Sequence, residues 1–437
     1  MIKIKKDFFY IKNNTGQIFF LLGTFFLASA LPISILFYLI SISISFIKKK
    51  GSLLKDKYNL FLVLCSGIIV FSNINTANLT FGLSEKITNL VWLDLLNWIP
   101  LFLLFIFAQD YLKNKTQRAM FSRALIAGTI PVLISCALQA WFKIYGPFEV
   151  LNNLIIWFQK ELPANEYGIS GLFSNPNYTG IWLTSVFPFV LSEQLINNKI
   201  QKNYFNKITL IILLFSFVYF TFLTASRNAF LGILIALIFV VKKKFKNIFL
   251  FGLLPLLSSS IFLILIENTF KTFNFKPYLP INLLSRIFSL NMDQFQRLDI
   301  YAVGSKLILE RPLLGYGPSR FKTLYEINDG TRDISHLHNL PLEIAFNYGI
   351  PLALILSGFV VLLLIKSWRK IYNKNNIKNN FIDNRAWLIA CSIATASHLY
   401  DVTYYDGKVS IVIWIFLAGL KCIIEEDFKE SKNKIFS

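Results

Sequence analysis

The chain has 437 residues, of which 55% are hydrophobic and only 16% are charged, against roughly 25% charged residues in soluble globular domains. Apolar runs recur along its whole length, and a bilayer core about 30 Å thick requires about 20 apolar residues per helix. The composition therefore excludes a soluble globular protein and predicts an all-α integral membrane protein. The net charge of +20 comes from short, scattered lysine clusters, which indicates membrane orientation and disfavours a nucleic-acid-binding surface.

The apolar runs predict about 12 transmembrane helices. They lie near 17–30, 32–47, 58–75, 89–109, 121–141, 178–197, 207–225, 227–241, 247–266, 350–365, 386–400 and 409–424. Pro32 divides the first run into a short hairpin. A signal peptide cleaved after "ASA" at 28–30 is an alternative interpretation of this run.

The distribution of Lys and Arg predicts the orientation. The predicted inner segments hold 30 of the 44 Lys and Arg residues, whereas the short outer segments hold five. The other nine lie in the long outer segment 267–349, and long loops follow the positive-inside rule weakly. We therefore expect both termini in the cytoplasm. Residues 1–266 form the N-terminal membrane part, 267–349 a large outer loop with short helices, and 350–437 the C-terminal membrane part and tail.

Four polar segments on the predicted outer side carry candidate site residues. In "GLFSNPNYTG" (171–180), Asn177 is a predicted N-cap for a helix that begins at Tyr178, and an ordinary helix start would also explain this pattern. In "LTASRNAFLG" (223–232), Arg227 stands at a helix N-terminus, where a cation opposes the helix dipole. Its predicted span is short, so Arg227 is expected below the outer surface, where it binds a ligand or reaches lipid phosphate.

The long outer segment contains "FQRLDIYAVGSKLILERPLLGYGPSRF" (295–321). Its apolar positions recur with helical spacing, Pro312 ends the predicted helix, and "LLGYGP" forms a turn. Arg297 lies at the start of this helix. A surface salt bridge with Asp293 and a functional role are equally compatible with its position.

The stretch "SHLHNLPLEIAFNYG" (335–349) holds two of the three histidines in the chain. Asn339 is a predicted N-cap, Glu343 lies in the first turn, and Gly349 ends the helix. A helix N-terminus next to His338 disfavours the imidazolium, and a neutral imidazole suits a general base. The free backbone N–H groups of this helix N-terminus also predict a phosphate site.

A metal site at the two histidines is a weaker alternative. His-x-His places both rings on one face of an extended segment, but catalytic zinc normally requires three protein ligands. The third would have to be Glu343 or Asp333, so we predict no metal and no cofactor. The third histidine, His398, lies near Asp401 and Asp406 and is expected to pack or pair structurally.

These segments, in this order and on one side of the membrane, resemble the O-antigen ligase/O-antigen polymerase family of integral-membrane glycosyl-transfer enzymes. Two positions depart mildly from the family pattern. Tyr301 stands where the family often has Trp, and the last motif ends in "GIPL" where the family favours a second glycine.

The resemblance implies a reaction and roles for individual residues. Family members transfer a glycan from undecaprenyl pyrophosphate, without metal, to a lipid A-core sugar in ligases or to another repeat unit in polymerases. They act at the periplasmic face of the bacterial inner membrane, so the resemblance implies that this chain lies there and that its large outer loop, 267–349, is periplasmic. Arg227 and Arg297 would hold the pyrophosphate, because guanidinium groups suit bidentate phosphate contacts. His338 would deprotonate the acceptor hydroxyl and His336 would assist. Asn177, Asn339 and Glu343 would support the site.

Two other function classes remain open. Some relatives are proposed to transport inorganic carbon, although transporter sites usually lie near the membrane midplane. A noncatalytic assembly partner would not require two arginines and a histidine together. The sequence does not distinguish ligase from polymerase and does not identify the sugar.

Overall fold

The computed structural model describes eight parts of the chain, which are residues 14–48, 55–77, 91–162, 168–200, 204–241, 293–329, 334–372 and 382–426. The described chain is mostly α-helical, as the composition predicted. Its only sheet within these ranges is a two-stranded hairpin.

Fourteen α-helices and two strands make up the described regular structure, together with short 3₁₀ turns. The helices are α1 (Thr15–Phe26), α2 (Leu31–Lys48), α3 (Lys57–Ala77), α4 (Ile99–Ala108), α5 (Lys115–Trp141), α6 (Pro176–Ile200), α7 (Tyr204–Leu223), α8 (Arg227–Val240), α9 (Asp293–Glu310), α10 (Phe321–Asp329), α11 (Leu340–Tyr348), α12 (Ile350–Tyr372), α13 (Ile382–Ser397) and α14 (Gly407–Glu425). The strands are β1 (Phe148–Val150) and β2 (Ile155–Trp157), which pair antiparallel.

Eleven of the twelve predicted spans coincide with described helical segments, and the twelfth, 247–266, lies outside the described residues. Among the described residues, five helices are long and apolar enough to cross a membrane. They are α3, α5, α12, α14 and the segment Val91–Tyr111, which contains α4. The helices α1, α2, α7 and α8 are apolar but shorter. A multi-pass helical membrane protein is therefore supported, whereas the count of twelve and the outer loop stay predictions.

The helices pack around α14, in which every residue from Lys408 to Ile423 is buried. This helix contacts α4, α12 and α13, while α6 packs against α8 and α13. At the start of α6, a Cβ added to Gly180 would lie 2.7 Å from the Cβ of Ala229. Only a glycine permits this approach, which brings the first turns of α6 and α8 together.

The turn after α9 docks onto the end of α11. The amide groups of Tyr316 and Gly317 donate to the carbonyls of Phe346 and Asn347 at 2.8 and 3.0 Å. Gly349 then ends α11 with φ of +93°, a conformation that favours glycine. These contacts confirm the predicted turn and helix end, and they fix α9 and α11 relative to each other.

Candidate active site

His336 and His338 lie side by side and are both half-buried, with ring centroids 4.2 Å apart. Leu337 between them points the other way and is fully buried against Gly304 of α9. The two rings share one side of the segment, as the His-x-His spacing predicted, although the backbone bends at both histidines. His338 has a positive φ of 50°, which is uncommon for a residue with a side chain, and it is followed at once by α11.

Asp401, in the segment between α13 and α14, joins the two histidines. Its Oδ1 lies 3.3 Å from Nδ1 of His338 and 3.9 Å from Nε2 of His336. Its Oδ2 accepts a 3.0 Å hydrogen bond from Nδ2 of Asn177. Burial alone would raise the pKa of Asp401, but the hydrogen bond and charge of His338 outweigh it and lower the pKa. Asp401 is therefore an ionised acceptor held from two sides.

The ionised state of Asp401 assigns the tautomer of His338. A carboxylate only accepts hydrogen bonds, so Nδ1 of His338 carries a proton toward Asp401, and in the neutral ring of this tautomer the lone pair is on Nε2. At His336, burial is the main cause that lowers the pKa to about 4, assisted by His338 and Arg297 and opposed by Asp401. The His336 ring is therefore neutral near pH 7.

Arg297 lies in α9 next to this group, and its Nη1 donates a 2.8 Å hydrogen bond to the carbonyl of Tyr400. That contact places its guanidinium one residue from Asp401. Asp293, the alternative partner from the sequence, has a side chain outside the described part of the structure. Arg227 is the first residue of α8, whose start touches the start of α6, where Asn177 lies. Arg297 is thus the arginine that a contact places beside the segment containing Asp401.

Asn339 is the N-cap of α11, as predicted, and its Oδ1 accepts from the amide of Leu342 at 3.1 Å. The expected phosphate site at this helix start is wrong. The amide of Leu340 donates to the carbonyl of His398 at 2.8 Å, and that of Glu343 donates to the carbonyl of Asn339. Pro341 has no N–H, so every amide of the first turn is used or absent.

Glu343 fixes the backbone between the two histidines. Its Oε2 accepts a 2.9 Å hydrogen bond from the amide of Leu337, and the side chain is buried beneath the loop. Burial raises the pKa of Glu343 to about 7, and the charge of Asp94 contributes in the same direction. The predicted supporting role is therefore to hold the loop, and Glu343 is not an accessible metal ligand.

The predicted role of Asn177 as N-cap is wrong. Helix α6 begins two residues earlier than predicted, at Pro176, and Oδ1 of Asn175 accepts from the amide of Asn177 at 2.8 Å. Proline is well suited to the first helical position because its missing N–H would have no helical partner there. The cap thus moves to Asn175, which leaves the Asn177 side chain available to Asp401.

The geometry gives the metal alternative a third ligand. One ligand atom each from His336, His338 and Asp401 lie within 4.8 Å of one another. This set differs from the sequence expectation, because Glu343 is engaged elsewhere and Asp333 lies outside the described residues. Neighbouring ligands of one tetrahedral zinc ion at about 2.0–2.1 Å lie roughly 3.4 Å apart. Nε2 of His336 lies 3.9 Å from Oδ1 of Asp401, so this pair would have to move closer to share such an ion.

Asp401 is the residue that sequence reasoning missed. The sequence paired it with His398, but His398 is buried, with its Nδ1 3.1 Å from Oγ1 of Thr403 and its ring edge-on to Tyr404. The structural role expected for His398 is consistent with these contacts. The signal available in the sequence was the position of Asp401 just after an apolar run, on the same predicted side as the histidines.

A family model described as O-Antigen ligase matches residues 210–357, about a third of the chain. No curated protein matches the chain. The matched range contains both arginines, both adjacent histidines, Asn339 and Glu343, whereas Asn177 and Asp401 lie outside it. Residues 210–357 are therefore similar to the O-antigen ligase family, and this match supports the resemblance to the O-antigen ligase/polymerase family that the motifs indicated.

Proposed function

We propose that the chain transfers a glycan from undecaprenyl pyrophosphate to a sugar hydroxyl at the periplasmic face of the inner membrane. The acceptor in this proposal is a lipid A-core sugar, as in a ligase. The observation that carries the proposal is the grouping of His338, Asp401 and Arg297 on segments far apart in the chain. Together they provide a base, its orienting partner and a cation.

The donor is held by the arginines in this proposal. Arg297 and Arg227 would contact the pyrophosphate, since planar guanidinium groups bind phosphate oxygens bidentately and stabilise the charge of the leaving group. The occupied amides at the start of α11 support this assignment, because they remove the other candidate for an anion site. Arginine is always charged, so this contact does not depend on pH.

The acceptor is activated by His338. Its Nε2 removes the proton of the acceptor hydroxyl while that oxygen attacks the anomeric carbon of the donor sugar. The bond from this carbon to the pyrophosphate oxygen breaks, and undecaprenyl pyrophosphate leaves with the electron pair. Asp401 stabilises the imidazolium that forms. His336 borders the acceptor position and, being neutral, adds no charge to it.

Three residues position the base in this mechanism. Asn177 holds Asp401, Asn339 fixes the start of α11 directly after His338, and Glu343 fixes the amide of Leu337. The base is thus held by its own loop, by α6 and by the α13–α14 connection. Such a shell keeps a general base within hydrogen-bonding reach of its substrate.

The decisive experiment is the lipopolysaccharide profile of a deletion strain complemented with wild-type protein or with the His338→Ala variant. For a ligase we expect loss of all O-antigen together with accumulation of free lipid-linked polymer, restored by wild-type protein only. A core that carries a single repeat unit would instead identify a polymerase of the same family. An unchanged profile would contradict glycan transfer and favour the transporter class.

The metal-dependent alternative has its own signature. A catalytic ion held by His336, His338 and Asp401 would make both histidines equally essential. Activity of the purified protein would then be lost to a strong chelator and restored by zinc or manganese. The proposed histidine base predicts that a chelator has no effect.

A further inference from the structure

The connection between α5 and α6 contains an apolar β-hairpin that no part of the proposed reaction uses. Its strands β1 and β2 are joined by a turn in which Leu151, Asn152 and Asn153 have positive φ. Leu151 and Leu154 at the tip are 61% and 58% exposed to solvent. Other large apolar side chains of the connection are also exposed, including Phe142, Ile144, Phe148, Val150 and Phe158. Such a surface on a water-facing loop would be an aggregation site.

The hairpin base lies at the ends of apolar helices. Trp141, the last residue of α5, donates from Nε1 to the hydroxyl of Tyr219 near the end of α7 at 3.3 Å. Both side chains are exposed, as in the Trp and Tyr belts at membrane–water interfaces. At the other side of the hairpin base, Trp157 ends strand β2, and its Nε1 donates to the carbonyl of Ser29 at 2.7 Å. Ser29 lies in the turn between α1 and α2, so both attachments are at membrane level.

The reach of the hairpin is comparable with the thickness of the interface. A strand of three residues spans about 10 Å, and the headgroup region on each side of the hydrocarbon core is about 5–8 Å thick. The tip therefore reaches lipid when the hairpin tilts toward the bilayer. The exposed Lys143 and Lys160 at its base complement the negative charge of lipid phosphate.

We propose that this hairpin is a lipid-docking element whose tip, Leu151 to Leu154, inserts into the headgroup–acyl boundary of the adjacent leaflet. The occupant is bilayer lipid, and the hairpin is an interfacial anchor. This inference goes beyond the proposed reaction and does not depend on it.

The anchor is joined to the segment that supports the candidate site. The amide of Gln159, two residues after β2, donates to the carbonyl of Gly171 at 2.9 Å. The amide of Lys160 donates to Oγ of Ser170 at 3.0 Å. Ser170 and Gly171 precede Asn177, which holds Asp401. Docking of the hairpin would thus set the height of this segment relative to the membrane surface.

The test uses the full chain in lipid nanodiscs, with Leu151→Cys labelled by an environment-sensitive NBD fluorophore. The four native cysteines are free and buried, so wild-type protein treated in the same way measures background labelling. Lys306→Cys on the exposed face of α9 is the matched site for access from water. Fluorescence is measured with nitroxide groups placed near the lipid carbonyls and, separately, with aqueous iodide.

We expect the lipid nitroxide to quench the label at position 151 by about twofold or more, since interfacial apolar segments lie roughly 5–10 Å into this boundary. Iodide should quench the label at position 306 and spare the one at 151. Adding Leu154→Asp should reverse the pattern at 151. Quenching at 151 by iodide alone would overturn the proposal. Protection from both quenchers would also overturn it, because a protein would then cover the tip.

Discussion

Asn177 and Asp401 lie 224 positions apart in the sequence, yet Nδ2 of Asn177 donates a 3.0 Å hydrogen bond to Oδ2 of Asp401. The other oxygen of Asp401 faces His338. The carboxylate thus connects α6, the α13–α14 segment and the histidine loop. The site is therefore a property of three segments.

The first prediction concerns the general base. His338→Ala should lower the transfer rate by roughly 10²–10⁴-fold, the usual contribution of general-base catalysis. Binding of the lipid-linked donor should remain close to wild type, because the arginines hold the donor. His336→Ala should cost clearly less. Rates measured with purified protein, lipid-linked donor and acceptor decide this, and equal losses at both histidines with chelator sensitivity would refute the assignment.

The second prediction concerns Asp401. Asp401→Asn places an amide NH₂ against either His338 or Asn177, both of which donate to the carboxylate, so one of these hydrogen bonds is lost. The wrong tautomer of a catalytic histidine can cost up to about 10⁴-fold, and we expect at least a tenfold loss of rate. Asp406→Asn is the control, because Asp406 caps α14 and asparagine caps equally well. Equal activity of both variants would exclude an orienting role for Asp401.

The third prediction concerns the arginines. Arg297→Lys and Arg227→Lys keep the positive charge but lose the bidentate geometry. Each should remove most of the transfer activity while the protein still inserts normally, and the alanine variants should be worse. Arg123→Lys is the control. In the wild-type protein Nε of Arg123, in the N-terminal half of α5, contacts Glu193 at 3.0 Å. Full transfer by both site variants would favour contact with lipid phosphate or a surface ion pair.

The fourth prediction concerns stability and pH. Burial raises the pKa of Glu343 from 4.5 to about 7, so between these values the folded protein binds a proton that the unfolded chain releases. Its contribution to the free energy of unfolding is therefore largest below about pH 4.5 and falls as pH rises toward 7. Glu343→Gln should flatten the profile, and Glu161→Gln, an exposed control, should not. Thermal unfolding of detergent-solubilised protein from pH 4.5 to 7.5 measures this, and parallel profiles would contradict it.

The fifth prediction concerns topology and rests on the asymmetry of Lys and Arg outside the long loop. Reporters fused near residues 50, 115, 244 and 375 should report the cytoplasm, and one near 290 should report the periplasm. A cytoplasmic signal near 290 would move the whole proposed chemistry to the wrong side of the membrane.

The sequence by itself determined the helices and several of their ends. Long apolar runs predict membrane helices because an unpaired backbone in lipid is costly, and the described helices follow them. The N-cap Asn339 and the stop at Gly349 were also predictable, since each depends on residues within one turn. The alternation of His336, Leu337 and His338 follows in the same way from local spacing.

Only the tertiary structure decided which groups meet. Asp401 reaches His338 from 63 positions away, and the carbonyl of His398 occupies the amide of Leu340, which removed the expected phosphate site. Asn177 likewise proved to be a partner of Asp401 because Asn175 had taken over the cap. Local patterns fix how a segment folds, because they act within one turn. Contacts between residues of different segments depend on how whole helices pack. The spacing of residues within one segment does not determine the distance between two segments.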